Sequence, residues 1–222
     1  MSQTVEQKMA AFRALLERYR RLPRRQHVDC TATREQLRSL QVAGLLETHK
    51  AFDAQKQYRA LKTYYIEHLH SGVDLERVIK EGELVLRIVS RLHETYDLVM
   101  NALEFSVTAQ ELDDAVLQSF DKTSERRDLA VHVRKAGQLK ARSAHAQLIR
   151  PLGPGLAPYT RSRLSQAAFK LAMTPLRATG LAPLVVVLDK GFDVLRGLDD
   201  VEGSFDQLIS NNLLAIKQLY SA

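Results

Sequence analysis

The chain has 222 residues, of which 45% are hydrophobic and 26% are charged, and its formal net charge is +6. This balance is typical of a globular protein and argues against wholesale disorder or a fibrous class. A single cysteine, Cys30, excludes an intrachain disulfide and a thiolate metal cage, so we expect a reducing, cytoplasmic setting. The longest apolar run, 181–188, is far shorter than the roughly 20 residues of a membrane-spanning helix, so we expect no such span.

Apolar residues recur at intervals of three and four through most of the chain, which is the pattern of amphipathic helices. A first helix is predicted over 5–22 and is ended by Pro23, with 24–31 as a connector. Thr33 is predicted to cap a second helix. The residues of these helices and their flank that we expect in the core are Met9, Phe12, Leu15, Leu16, Tyr19, Leu37, Leu40, Gly44, Leu45 and Phe52.

The helical pattern continues through the middle of the chain. It predicts a helix over 58–70, a turn at 74–80 and a further helix over 84–103. Thr108 and Glu111 have the spacing of a capping box, in which a hydroxyl and a carboxylate satisfy free amide donors reciprocally. A new helix running to residue 120 is therefore expected to begin there.

Positive charge is concentrated in one stretch. From Lys122 to Arg177 there are twelve lysines and arginines but only two acidic residues, and none is acidic between Asp128 and Asp189. The apolar period predicts one long basic helix over 124–149.

The prolines and glycines of 151–158 interrupt this pattern and predict a loop. Three more helices are predicted over 161–179, 184–198 and 201–220. The β-branched run at 184–188 could also form a buried strand, but no other segment offers it a partner. We therefore predict an all-α, multi-helix bundle with mostly antiparallel neighbours: one helical domain over 1–222, in which the loop separates an N-terminal bundle from a C-terminal helical segment.

In the heptad from Tyr64 to His70, the first six residues have the order aromatic, aromatic, aliphatic, Glu, any residue, Leu. It resembles the motif of the bacterial FFLEELY-motif proteins, in which two phenylalanines stand for the two tyrosines. The sequence departs from that motif at His68, where the family has an acidic residue, and at His70, where it has Tyr. Similarity extends to 175–181 and 190–196 near the C-terminus. The resemblance implies an all-helical bacterial protein without an established activity.

Glu67 and His70 have the Glu-x-x-His spacing that places both side chains on one helix face, as in di-iron carboxylate bundles. Such sites need a second copy of the motif and two more carboxylates, and the sequence has no second copy. We therefore predict no catalytic residue, no metal site and no cofactor. A metal-dependent enzyme that uses Glu67 and His70 stays open as an alternative.

The basic stretch supports the first functional hypothesis, a non-enzymatic binding or interaction protein. Its basic face would attract an acidic protein or another anionic surface, or would only be a solvated face. Few aromatic residues lie between the cations, which argues against nucleic acid as the partner. The residues predicted for this face are Arg127, Arg134, Lys135, Arg142, Arg150, Arg161 and Arg163.

A second hypothesis is an internal pocket for an apolar ligand or cofactor, because helical bundles host such sites between facing helices. The predicted motif and pocket residues are Tyr64, Tyr65, Glu67 and His70. A homodimer is also possible, through a final helix whose apolar residues are Phe205, Leu208, Leu213, Ile216 and Leu219.

Overall fold

The computed structural model describes residues 4–22, 31–70, 76–81, 84–85, 87–88, 96–120, 124–160 and 162–221, except the side chains of residues 31, 79, 126 and 127. These residues form an all-α, multi-helix fold in which none of them belongs to a strand, as the sequence predicts. The α-helices are α1 (Val5–Arg20), α2 (Thr31–Thr48), α3 (Lys56–Tyr64), α4 (Glu76–Lys80), α5 (Tyr96–Leu117), α6 (Arg126–Lys135), α7 (Leu139–Gln147), α8 (Leu152–Thr160), α9 (Arg163–Arg177), α10 (Ala182–Leu195) and α11 (Val201–Ser221).

The first helix confirms its predicted stripe. Its amino end is a capping box, in which the Thr4 hydroxyl accepts from the Gln7 amide at 3.2 Å and the Gln7 side chain accepts from the Thr4 amide at 2.9 Å. Phe12, Leu16 and Tyr19 are buried in the core. Burial of this apolar face is the main force that holds α1 on the bundle.

The second helix begins earlier than expected. Since α2 starts at Thr31, Thr33 lies within the helix and the predicted cap is wrong. The helix ends at Thr48, and Phe52 is buried in a separate 3₁₀ turn, Lys50–Ala54. The rest of the predicted connector, 24–30, falls outside the described residues.

The predicted helix over 58–70 is confirmed, but it changes its hydrogen bonding near the end. The α-helix Lys56–Tyr64 continues as a π-helical turn, Tyr65–Leu69, in which the amide of His70 donates to the Tyr65 carbonyl at 2.7 Å. Turns of this type hold one extra residue and frequently occur at functional sites.

The predicted turn at 74–80 and helix over 84–103 are only partly described. Residues 76–80 are helical rather than a turn. Helical residues occur at 84–85, at 87–88 and from Tyr96 onward.

The predicted helix start at Thr108 is wrong, because α5 runs through it without a break. Both residues of the supposed capping box bind Arg18 of α1 instead. Glu111 accepts from this guanidinium at 3.0 and 2.7 Å, and the Thr108 hydroxyl accepts at 3.2 Å. Tertiary contacts thus use the groups that the local pattern assigned to a helix end.

The predicted long basic helix is two helices, α6 and α7, and the prediction of one is wrong. Gly137 separates them with φ of 66°, in the left-handed region that glycine occupies without steric cost. The Tyr220 hydroxyl fixes this break: it donates to the Val133 carbonyl at 3.0 Å and accepts from the Gln138 amide at 3.1 Å.

The predicted loop at 151–158 is also wrong, since Leu152–Thr160 is an α-helix. Pro154 lies in its first turn, where backbone amides have no helical acceptor and proline removes nothing. Gly153 is needed for close packing, because a Cβ there would lie 2.8 Å from ring atoms of Phe205.

The main hydrophobic core contains residues from both sides of this helix, among them Phe12, Phe105, Phe192 and Phe205. A second, smaller cluster joins α2, the end of α5 and α6. The run 184–188 is helical, as predicted. Within the described part of the chain, no helix is both long enough and apolar enough to cross a bilayer.

Candidate functional site

A cavity of about 400 Å³ lies among α2, the π-helical turn, α5, α6, α7 and α11. This volume is in the range of small-molecule sites. Most of its lining residues are half-buried and Gln218 is exposed, so the cavity is open to solvent. The lining residues are Gln41, Gly44, Leu45, Thr48, Tyr65, His70, Ala109, Leu112, Asp113, Leu129, Ala130, Val133, Arg142, His145, Ala146, Asn212, Ala215, Ile216, Gln218 and Leu219.

Apolar side chains make up the larger part of the wall. α6 and α11 contribute most of them, among them Leu129, Val133, Ile216 and Leu219. This wall is able to bury the hydrocarbon part of a ligand.

Arg142 of α7 places a positive charge on the cavity wall. Its Nη2 donates to the Leu112 carbonyl at 3.1 Å, and its buried Nε has no partner in the part of the chain that the structure describes. Its Nη1 has no hydrogen-bond partner within the described residues, and none of their carboxylates lies within ion-pair distance. The guanidinium therefore has one contact with a neutral carbonyl and an unused donor group.

His145 lies one helical turn beyond Arg142. Its Nε2 is 3.1 Å from the Phe105 carbonyl oxygen, and because a carbonyl only accepts, Nε2 carries the proton and Nδ1 is the acceptor. Burial lowers the pKa of His145 to about 4, although the bond to Phe105 opposes this effect. His145 is thus neutral at neutral pH and presents a lone pair without a partner in the part of the chain that is described.

His70 lies at the end of the π-helical turn, with its ring centroid 6.1 Å from that of Tyr65. Burial lowers the pKa of His70 to about 4, and the positive charges of Arg38 and Arg142 lower it further. Neither ring nitrogen of His70 has a hydrogen-bond partner among the residues that the structure describes. The neutral imidazole therefore has a free donor and a free acceptor.

Asp113 of α5 is the carboxylate of the cavity. One oxygen accepts from the Gln41 side chain at 2.7 Å. Burial raises the pKa of Asp113, whereas the bond to Gln41 and the positive charge of Arg142 oppose this rise. Asp113 is within electrostatic reach of Arg142 without forming an ion pair.

Beneath the cavity, a buried polar contact joins α11 to the turn after α2. His49 is fully buried between the rings of Phe52 and Tyr65, at centroid distances of 5.5 and 5.6 Å. Its Nε2 lies 3.1 Å from Oδ1 of Asn212. This contact fixes the orientation of the Asn212 side chain at the cavity. The Nδ2 atom of Asn212 is buried without a partner in the described chain.

The structure brings two of the four predicted pocket residues to the cavity, Tyr65 and His70. Tyr64 is instead buried against α10, where its hydroxyl would lie 2.8 Å from a Cβ at position 191. Glu67 is exposed, so it is not part of a polar lining with His70. In the described residues, no three potential His, Cys, Asp or Glu ligands come together to hold a metal ion.

The residues predicted for the basic face do not share one environment. Arg134 donates to the Leu219 carbonyl at 3.0 Å, Arg142 lines the cavity, and Arg150 pairs with Asp206. Lys135 and Arg163 are exposed. The side chain of Arg127 and all of Arg161 lie outside the described part of the chain.

The sequence reasoning missed Asp113, His145 and Asn212. A signal existed for Asn212, which lies four residues after Leu208 and four before Ile216 on the apolar stripe of α11. A polar side chain in such a stripe must find a buried partner or line a cavity. Asp113 and His145 come together only through tertiary packing.

The family model described as "Domain of unknown function (DUF8198)" matches residues 20–222. The chain therefore belongs to this family. No curated protein and no solved structure matches it.

Proposed function

We propose that this chain is a small-molecule-binding protein and that the cavity between α2, α5, α6, α7 and α11 is its site. One observation carries the proposal: polar groups with unused hydrogen-bonding capacity converge on a largely apolar cavity of about 400 Å³. They belong to Arg142, His145, His70 and Asp113.

Polar groups without partners around an apolar cavity are typical of a site that binds a ligand. Because the cavity is open to solvent, its apolar wall stays in contact with water until a ligand covers it. The buried Nε of Arg142 and the buried Nδ2 of Asn212 have no hydrogen-bond partner in the described chain, and a buried donor without a partner costs free energy. A ligand with a polar head and an apolar body would satisfy both parts of this cavity.

Two other hypotheses have less support. An acidic partner would need a continuous cationic surface, but Arg134 and Arg142 bind main-chain carbonyls and Arg150 is paired with Asp206. A metal-dependent enzyme would need Glu67 beside His70, but Glu67 is exposed while His70 lines the cavity.

Native mass spectrometry of protein purified gently from its own host tests the proposal. We expect the wild-type chain to carry a bound small molecule. Substituting Ala215→Trp places an indole in the cavity and should leave the bare chain mass. A bare mass for the wild type would contradict the proposal.

Leu214 offers a matched control, because it is the neighbouring residue of α11 and is 57% exposed. The variant Leu214→Trp adds the same indole outside the cavity and should keep the ligand. Loss of the ligand from both variants would mean that the indole acts through α11 as a whole and not by filling the cavity.

A further inference from the structure

We propose that the ligand is a monoanionic amphiphile, a carboxylate on a hydrocarbon chain, whose head binds Arg142 and whose chain lies against α6 and α11. This inference rests on the proposed function and adds the chemical class of the ligand.

Arg142 carries a positive charge that has no counterion among the described residues. A charge withdrawn from water is costly unless it is paired, and guanidinium groups at buried positions normally meet a carboxylate or phosphate. Arg142 is half-buried, yet the one hydrogen bond that it makes to the described residues goes to the neutral Leu112 carbonyl. Its Nη1 is unused, and the residues described here place no carboxylate within ion-pair distance. An anionic head group would supply the missing counterion.

The neighbouring groups favour a single negative charge on the head. The donors without a partner in the described chain include Nη1 and Nε of Arg142, Nδ2 of Asn212 and one N–H of His70, and a guanidinium suits the two oxygens of a carboxylate. Asp113 lies close enough for Arg142 to affect it. A dianionic phosphate would meet stronger repulsion from that carboxylate than a monoanionic head group would.

The apolar wall indicates what is attached to the head. Leu129 and Val133 of α6 face the cavity together with Ile216 and Leu219 of α11. Burial of a hydrocarbon chain against this wall is favourable for every methylene removed from water. A short polar acid would leave the wall uncovered, whereas a medium-length chain would cover it.

Isothermal titration with three probes that share one chain tests the inference: decanoate, decanol and decylamine. The wild type should bind decanoate about tenfold more tightly than decanol, since hydrogen bonds to charged groups are the stronger ones. Decylamine should bind more weakly than decanol, because Arg142 repels it.

Two variants separate the charges. Arg142→Met keeps much of the side-chain length and should remove the preference for decanoate, so that decanoate and decanol bind equally. Asp113→Asn should keep that preference or increase it. If Arg142→Met does not fold, as judged by its thermal unfolding, the head-group comparison on the wild type still decides the question.

The outcomes distinguish a failure of the anionic head group from a failure of the proposed small-molecule site. Decanol and decanoate of equal affinity on the wild type, with binding abolished by Ala215→Trp, would overturn the anionic head and leave the cavity as a binding site. A failure of all three probes to bind would overturn the amphiphile, while a ligand found on the purified protein would still uphold the site.

Discussion

The imidazole of His145 stacks on the ring of Phe105, with centroids 4.2 Å apart, and also donates from Nε2 to the Phe105 main-chain carbonyl at 3.1 Å. One residue therefore fixes both the plane and the tautomer of this histidine. The stack and the hydrogen bond hold the imidazole in place at the cavity, and it is burial that lowers the pKa of His145 and disfavours its protonation, against the opposing effect of the carbonyl bond.

Stability should consequently fall in mild acid. The pKa of His145 is lowered from 6.5 to about 4 in the folded chain, so the unfolded chain takes up the proton first as pH falls. The stability that neutral His145 contributes to the folded chain is intact above pH 6.5, and it is lost progressively as the pH falls from 6.5 to about 4. Allowing for partial exposure, we expect a loss on the order of 1 to 2 kcal/mol.

Urea unfolding of the wild type and of His145→Gln across this pH range measures the effect. The glutamine amide can still donate to the Phe105 carbonyl but does not titrate. Its free energy of unfolding should decline less steeply than that of the wild type. Equal slopes would show that His145 does not contribute to acid sensitivity.

Arg18 joins α1 to α5 through two carboxylates. Its guanidinium binds Glu104 at 2.6 Å and Glu111 at 2.7 Å, and its side chain is 40% exposed. Arg18→Ala should lower the free energy of unfolding by about 1 kcal/mol. A guanidinium that binds two carboxylates contributes more to stability than an isolated surface ion pair does.

Arg21 provides the control on the same helix. Among the described residues it pairs only with Glu17, and it is 78% exposed, so Arg21→Ala should cost less than about 0.5 kcal/mol. Chemical denaturation at low and high salt compares the two variants. An Arg18→Ala loss no larger than that of Arg21→Ala would contradict the role of this network.

The close approach of Gly153 to Phe205 makes a second test of the packing. A Cβ at 153 would lie 2.8 Å from the ring, so Gly153→Ala should cost about 1 to 3 kcal/mol through overpacking. Gly44→Ala is the matched variant, because a Cβ there meets nothing within 4 Å. It should stabilise α2 by about 0.5 to 1 kcal/mol. Equal midpoints of thermal unfolding for the two variants would contradict this packing.

The break between α6 and α7 depends on the left-handed backbone of Gly137. Gly137→Ala should cost about 1 to 2 kcal/mol, and Gly137→Asn should cost less because asparagine tolerates this conformation. Urea midpoints for the three chains decide the order. A variant with alanine as stable as the wild type would mean that the helix continues through the break.

The sequence predicted the helices better than their ends. Apolar spacing placed Phe12, Leu16 and Tyr19 in the core because burial of a helical face is a property of the whole stripe. Helix ends depend on single capping residues, and the side chains of such residues can form tertiary contacts instead. Thr108 had the sequence of a cap but binds Arg18, and Pro154 occupies a first turn that tolerates it.

The cavity was harder to predict than the fold. The cavity lies between six elements that do not pack fully against one another, and no local sequence pattern predicts such a gap. The motif heptad suggested a pocket, but the π-helical turn separates His70, on the cavity, from the exposed Glu67. Arg142 was predicted as a surface cation because its carbonyl partner, Leu112, is 30 residues away in sequence.

Nuclear Overhauser contacts between bound decanoate and the protein methyl groups test the central claim most directly. We expect chain protons of decanoate to contact the methyl groups of Val133, Ile216 and Leu219, which line the cavity. Leu164 and Leu171 of α9 are 81% and 74% exposed and would attract a non-specifically bound hydrocarbon. Contacts to these two leucines, without contacts to the cavity methyl groups, would contradict the account.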